Sequence, residues 1–373
     1  MVKIVSILSS ALFATLANAA TVYTGDILAG HKVITDLDPS DFPSNSVTKL
    51  WLRMPKTITG QPRHVPVIIA KGNSPGNSLM LNSGLHGDEL NGIRVVQRVF
   101  KDIDTSKLKG TVVGVSGANV DGMENKIREY TNKYDSGILT DLNRQFPGNI
   151  TNRSAAQKYA ATLWASIYNK NYTAGVDFHT DTTGDALPNY VYADLTIPYV
   201  YRMTELTGAS VIKIDLGSGT LGALENIWDR FGTPAITYEL GSANVWQKDQ
   251  IQRGYDYVFR QLADLEMYPP TTDTTKIATY EAQRKVMYYG TEEKYGASPT
   301  GGFTEYYAKL LDKVVVNQTL ATLFNVFGDK VMDFKSEIDG VVDAIGLSPL
   351  TQPGTYIFSV IHNSTDPACA NGC

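Results

Sequence analysis

From residue 65 onward the apolar positions fall into two alternating rhythms. Short apolar runs at 65–70 and 78–81, bounded by Gly, Asn and Pro, predict buried strands. The second run leads through a glycine-bearing loop into Ile93, Val96, Val99 and Phe100, whose three- and four-residue spacing predicts a helix. Strand signals recur at 111–115, 174–178, 210–215 and 235–240, and helical patterns at 154–168, 221–231 and 250–267. Strands separated by helices predict an α/β fold, a largely parallel sheet covered on both faces.

Either side of this region the texture changes. Residues 20–60, rich in Asp, Pro and Ser, predict an irregular lead-in with one strand at 49–54. The polar, helix-breaking stretch 269–275 predicts a linker. Beyond it, closely spaced runs at 285–289, 302–307, 313–317, 320–326, 330–334, 340–345 and 355–361 predict a small β-barrel-like domain over 276–373. The catalytic unit is then expected within 20–268, and no internal repeat is present.

The first 19 residues read as a signal peptide: Lys3, an apolar stretch over 4–16, then Ala17-Asn-Ala19 as a cleavage pattern. The apolar core is shorter than the ~20 residues that span a bilayer. A secreted, extracellular protein is therefore expected. Five N-x-S/T sequons, at Asn149, Asn152, Asn171, Asn317 and Asn363, agree with a glycoprotein. The two cysteines, Cys369 and Cys373, either close a small loop or leave an unpaired tail, and alone are too few for a zinc site.

Composition narrows the partners. Of 373 residues, 43% are hydrophobic and 19% charged, and 33 Lys+Arg against 38 Asp+Glu leave a net charge of −5. Such a chain is globular and has no basic footprint for nucleic acid or an anionic membrane. A small-molecule or peptide substrate is the expected partner.

The candidate chemistry gathers at strand ends. Of five histidines, His86 follows the 78–81 strand with Glu89 three residues on, and His179 ends the 174–178 strand. Ligands of open α/β sheets collect outside the carboxyl ends of the strands, so the three side chains are expected to converge. Two imidazoles and a carboxylate leave a position open on zinc, as a catalytic site needs. H-x-x-E alone also arises by chance. His31, His64 and His362 lie outside any motif and read as structural or surface residues.

Four segments in order add context: Gly84-Leu-His86-Gly-Asp-Glu89-Leu-Asn-Gly92, Asp141-Leu-Asn143-Arg144-Gln-Phe-Pro-Gly148, Asp177-Phe-His179-Thr180, and Ala235-Ile-Thr-Tyr-Glu239-Leu-Gly241. Together they resemble the succinylglutamate desuccinylase/aspartoacylase family of the zinc carboxypeptidase group, over roughly 63–361. The resemblance implies a mixed, largely parallel sheet with a β-rich end that borders the active site. It implies one zinc ion on His86, Glu89 and His179, with Glu239 as general base and acid. It also implies that Asn143 and Arg144 anchor a substrate carboxylate. Arg128 is the nearest candidate for a second anchoring arginine, although the segment between it and Asp141 is long.

The expected activity is zinc-dependent hydrolysis of the amide bond of an N-acyl amino acid or similar small substrate. A metallocarboxypeptidase acting on peptides or peptidoglycan-like substrates is the nearest alternative, and a secreted binding protein without catalysis the more distant one. Family members are mostly intracellular, so the expected export of this chain leaves its substrate open. Two further motifs compete. Gly217-Ser-Gly219-Thr-Leu-Gly222 fits a dinucleotide-binding loop, and Lys330 sits where a lipoyl carrier would hold its lysine. Neither is adopted, because an exported protein meets little nicotinamide cofactor and related hydrolases carry the barrel unmodified.

Overall fold

The computed structural model describes residues 20–132, 138–217 and 220–373. Its centre is an eleven-stranded sheet. In chain order the strands are β1 (Val22–Leu28), β2 (His31–Asp36), β3 (Ser46–Lys56), β4 (Pro62–Lys71), β5 (Ser74–Ser83) and β6 (Lys109–Val115). They continue with β7 (Ala174–Asp181), β8 (Asn189–Ala193), β9 (Val211–Ile214), β10 (Ala235–Ser242) and β11 (Tyr288–Gly290). Their spatial order is β1-β2-β3-β4-β6-β5-β7-β10-β8-β9-β11. The sheet is mixed and largely parallel. The strands β6, β5, β7 and β10 at its centre all run parallel, as expected from the strand–helix alternation.

Alternation along each central strand feeds two cores. In β5, Leu79 and Leu81 face one side while Met80 faces the other. The first side packs against α1 (Asn91–Asp102), α4 (Pro198–Thr207) and α6 (Lys248–Asp264), through residues such as Val99, Met203 and Tyr257. The second packs against α3 (Ala155–Leu163) and α5 (Leu224–Arg230), through Tyr159, Leu163 and Trp228. A short α2 (Val120–Asn125) follows β6. Among the described residues no helix is long and apolar enough to cross a membrane.

Three elements depart from the sequence expectation. The lead-in is not irregular with one strand but carries β1, β2 and β3. β1 is almost wholly exposed, so its pairing with β2 rests on backbone hydrogen bonds that no apolar stripe announces. The expected linker over 269–275 runs into α7 (Thr274–Arg284), which starts where Asp273 accepts hydrogen bonds from Thr275 and Lys276. The expected strand at 285–289 is shorter and, as β11, joins the large sheet beside β9. The β-rich end accordingly starts at Glu292.

From there, strands such as Glu292–Ala297, Thr319–Phe324, Gly340–Gly346 and Tyr356–His362 build two small antiparallel sheets around Leu320, Leu323, Phe334, Val342 and Ile357. A two-residue strand of the catalytic part, Asp185–Ala186, pairs with Gly346 and Ile345 and so ties the β-rich end to the chain just after β7. Cys369 and Cys373 form a disulfide, and the tail it closes lies against Ile214 and Thr291. Lys330 opens an exposed strand and pairs with Asp333.

Candidate active site

The metal-binding candidates come from two places at the carboxyl ends of the central strands. His86 and Glu89 lie in the loop between β5 and α1, where that loop presses on its surroundings. A Cβ on Gly87 would stand 2.0 Å from the backbone of Gly122, and one on Gly92 2.4 Å from the Cβ of Phe178. Only glycines let α1 start this close to β7. Asn91 then locks the loop to the next strand: its amide donates to the carbonyl of Leu240 at 2.7 Å, and its oxygen accepts from the backbone of Gln247.

His179 comes from β7, and the donor atoms of the three residues meet within 4.8 Å of one another. His86 Nδ1 is 2.7 Å from Glu89 Oε1, His179 Nδ1 is 2.8 Å from Glu89 Oε2, and the two Nδ1 atoms are 3.1 Å apart. The opposite ring nitrogens are each held by a carboxylate. His86 Nε2 lies 3.0 Å from Asp141 Oδ1, and His179 Nε2 lies 2.8 Å from Asp177 Oδ2. With protons on both Nε2 atoms and none on Nδ1, two lone pairs and a carboxylate would face one point. Electron pairs so placed repel unless a cation sits among them, and this N₂O set with its carboxylate-braced imidazoles suits zinc.

The bracing continues into the core. Asp177 Oδ1 accepts from Asn82 Nδ2 at 2.7 Å, and Asn82 Oδ1 accepts from Tyr168 OH at 2.6 Å, all fully buried. Burial works against a charged imidazole at His179, but Asp177 and Glu89 outweigh it and raise its pKa. Burial likewise opposes ionisation of Glu89, yet His86 and His179 hold it well below the usual carboxylate range.

Glu239 sits on β10 in direct parallel register with His179 on β7. It is 8% exposed, and its Oε2 is buried without a partner. Burial pushes its pKa well up, against the pull of His179, while the nearby Glu89 and Asp181 push the same way. A carboxyl group in that state binds a proton firmly, which suits it to exchange one with a reacting group.

Arg128 reaches this place despite the long segment that follows it. Its Nη1 lies 2.8 Å from Glu89 Oε1 and its Nη2 3.2 Å from Asp141 Oδ2. Asn143 and Arg144 form a tight turn that Asp141 caps, and both line the same cavity as His86, His179 and Glu239. Arg144 donates to the carbonyl of its neighbour Asn143, and its nearest carboxylate oxygen is on Asp141 at 3.9 Å. Asn143 is more committed than a simple ligand donor, since its Oδ1 accepts from the backbone of Leu224 at 2.8 Å. Its Nδ2 stands 3.3 Å from His179 Nε2. With that nitrogen donating to Asp177, the amide remains for a ligand oxygen.

The cavity measures about 390 Å³, within the range of small-molecule sites. The β-rich end supplies part of its wall through Glu293 and Tyr295, and the disulfide-closed tail adds Cys373. Leu187, Ala223 and Tyr192 are among its less polar contributions.

Sequence reasoning does not single out Asp141, Asp177, Asp181, Glu225 or Glu293. The first two stand inside quoted motifs, and Asp177 is two residues before His179, on the same strand face, so spacing could have marked it. Asp181, pushed up to about 7 chiefly by burial, follows by the same alternation. Of the glycine loop, Ser218 and Gly219 lie outside the described residues, as does the segment 1–19 read as a signal peptide. What is described of that loop packs on the site: a Cβ on Gly222, at φ +85°, would stand 2.4 Å from the carbonyl oxygen of Arg144.

Comparison with known proteins follows this geometry. The succinylglutamate desuccinylase/aspartoacylase catalytic domain matches residues 75–265. No curated protein matches the sequence. Among solved structures, a succinylglutamate desuccinylase/aspartoacylase from Rhodobacter sphaeroides superposes with a TM-score of 0.73 at 18% identity, covering 87% of this chain and 98% of its own. The ectoine utilization protein EutE (DoeB) from Ruegeria pomeroyi, in a product-bound structure, gives 0.73 at 17% identity over 87% and 98%. An aspartoacylase family protein from Mesorhizobium loti gives 0.71 at 17% identity over 94% and 100%. At these identities the likeness is one of fold.

Proposed function

The chain belongs to the succinylglutamate desuccinylase/aspartoacylase family, and from that premise we propose that it is an exported, zinc-dependent hydrolase that cleaves the amide bond of a carboxylate-bearing N-acyl amino acid or similar small molecule. The observation that carries this reading is the meeting of His86, Glu89 and His179 beside a buried Glu239 with an unpartnered oxygen.

His86, Glu89 and His179 would hold the ion, which when bound would supply Lewis acidity for an amide carbonyl and for water. Glu239 takes the proton from the attacking water and returns it to the leaving amine, the exchange its raised pKa favours. Arg128 braces Glu89 and Asp141 and sets a positive charge beside the developing oxyanion. Arg144, with the Asn143 amide, grips the substrate carboxylate and decides which bond lies before Glu239.

Export is supported from three sides. The first 19 residues have the signal-peptide pattern, the Cys369–Cys373 disulfide suits an oxidising compartment, and all five sequon asparagines are exposed.

The test is amine release from a panel of N-acyl amino acids by the purified protein loaded with zinc, beside a chelated sample. Release that chelation abolishes and zinc restores is the expected result. Release of C-terminal residues from peptides, with none from the panel, would replace the reading by a carboxypeptidase. A His179→Ala variant that still holds one zinc ion tightly would sink the ligand set.

A further inference from the structure

The hydrolytic scheme uses one part of the cavity and leaves another unexplained. Thr237 lies two residues before Glu239 on β10, on the same strand face, and also lines the cavity, which continues from there to Asp215 and to Glu225 in the first turn of α5. Glu225 is 3% exposed, and its Oε1 is buried without a partner. The two carboxyl groups stand in different electrical surroundings. His179, Glu89, Asp181 and Arg128 act on Glu239, whereas Asp229, Asp215, Asp177 and Asp194 act on Glu225.

The charged groups that act most strongly on Glu225 are thus acids. Lys213 is the lysine of that wall, but it cannot answer the carboxyl. It is 4% exposed and donates to the carbonyls of Cys373 at 2.8 Å, Thr291 at 3.1 Å and Ile214 at 3.3 Å, which occupies all three of its N–H groups. A buried carboxyl with an orphaned oxygen, facing a cavity whose lysine is fully engaged elsewhere, leaves a place open for a cation.

We propose that Glu225, with Asp215, forms a subsite for a cationic group, so that the substrate is the N-acyl derivative of an amino acid whose side chain ends in an ammonium or guanidinium. The inference rests on the hydrolase reading for the placement of the other groups. The α-carboxylate goes to Arg144 and Asn143, the amide to Glu239, and the side chain runs past Thr237 to Glu225.

Binding and turnover test it separately. On the zinc-loaded full chain, calorimetry would compare L-lysine and L-arginine with L-norleucine, a neutral analogue of lysine, and with L-glutamate, while kcat/KM is measured on their N-acetyl derivatives. Lysine and arginine are expected to bind about tenfold or more tighter than norleucine, with glutamate weakest, and Glu225→Gln to bring the lysine-to-norleucine ratio near one. Norleucine binding as well as lysine, or a Gln variant that keeps the preference, overturns the subsite. A Gln variant that loses kcat/KM equally on every substrate does the same, since that marks a structural role. If Glu225→Gln does not fold, the wild-type ratio and Asp215→Asn decide. A lysine preference in binding without hydrolysis of any derivative sinks the hydrolase reading and leaves the subsite standing. Hydrolysis without preference does the reverse.

Discussion

The carboxyl groups in and beside the cavity include two contrasting sets. At the proposed metal-binding end three are answered: Glu89 by two imidazoles and Arg128, Asp141 by His86 and Arg128, Asp177 by His179 and Asn82. Toward α5 and along β10, Glu239, Glu225 and Asp229 each keep a buried oxygen without a partner. The answered groups hold their neighbours in place, and Glu89 and Asp141 resist protonation. The unanswered ones are pushed up by burial and lie ready to take a proton or a positive charge. On the proposed scheme, orientation and reactivity fall to separate residues of the same chemical type.

The sharpest way to break this division is Glu239→Gln. If the unanswered carboxyl moves the proton, the variant keeps zinc at wild-type affinity and loses about 10²- to 10⁴-fold in kcat. Equal activity would erase the distinction. Next comes Asp177→Asn, which leaves every proposed zinc ligand in place. Losing an orienting carboxylate should weaken zinc by about 10- to 100-fold, read by competition with a chelator. Unchanged affinity would mean that the bracing through Asn82 and Tyr168 is idle.

The smallest effect concerns stability. Asp229 is pushed up to about 8, first by burial, while its Oδ1 accepts from the backbone of Ala235. In the folded protein it keeps its proton where the unfolded chain has lost it. The unfolded state therefore binds fewer protons between about pH 4 and pH 8, and this group's contribution, complete below pH 4, is lost as pH rises through 8. Asp229→Asn keeps the Ala235 hydrogen bond and removes the ionisation. It should flatten the dependence of Tm on pH and add about 1–2 kcal/mol of stability at pH 8. A variant that melts below wild type at pH 8 would place Asp229 among the answered groups.

How much of this is legible in the sequence depends on what holds each part. The central strands show in the apolar rhythm because they are buried on both faces, and α1 because it is buried along one. His86, Glu89, His179 and Glu239 show because strand ends in such a sheet share an edge, and four motifs in order locate them. Elements that burial does not shape stay hidden. β1 is exposed along nearly its whole length, and α7 buries no residue at all, so backbone pairing and the Asp273 cap define them instead. Glu225 is hidden for another reason. Its meaning comes from Asp215, Asp229 and Lys213, which no period in the chain connects.

The pairing of Asp185–Ala186 with Gly346 and Ile345 bears on how the cavity admits its occupant. The β-rich end is stitched to the chain only four residues after Asp181 and six after His179, and its own Glu293 and Tyr295 stand in the cavity wall. Swinging that end aside would tear the stitch and drag on β7 itself. The β-rich wall and the strand that carries His179 are therefore tied together, and an occupant meets both as one frame.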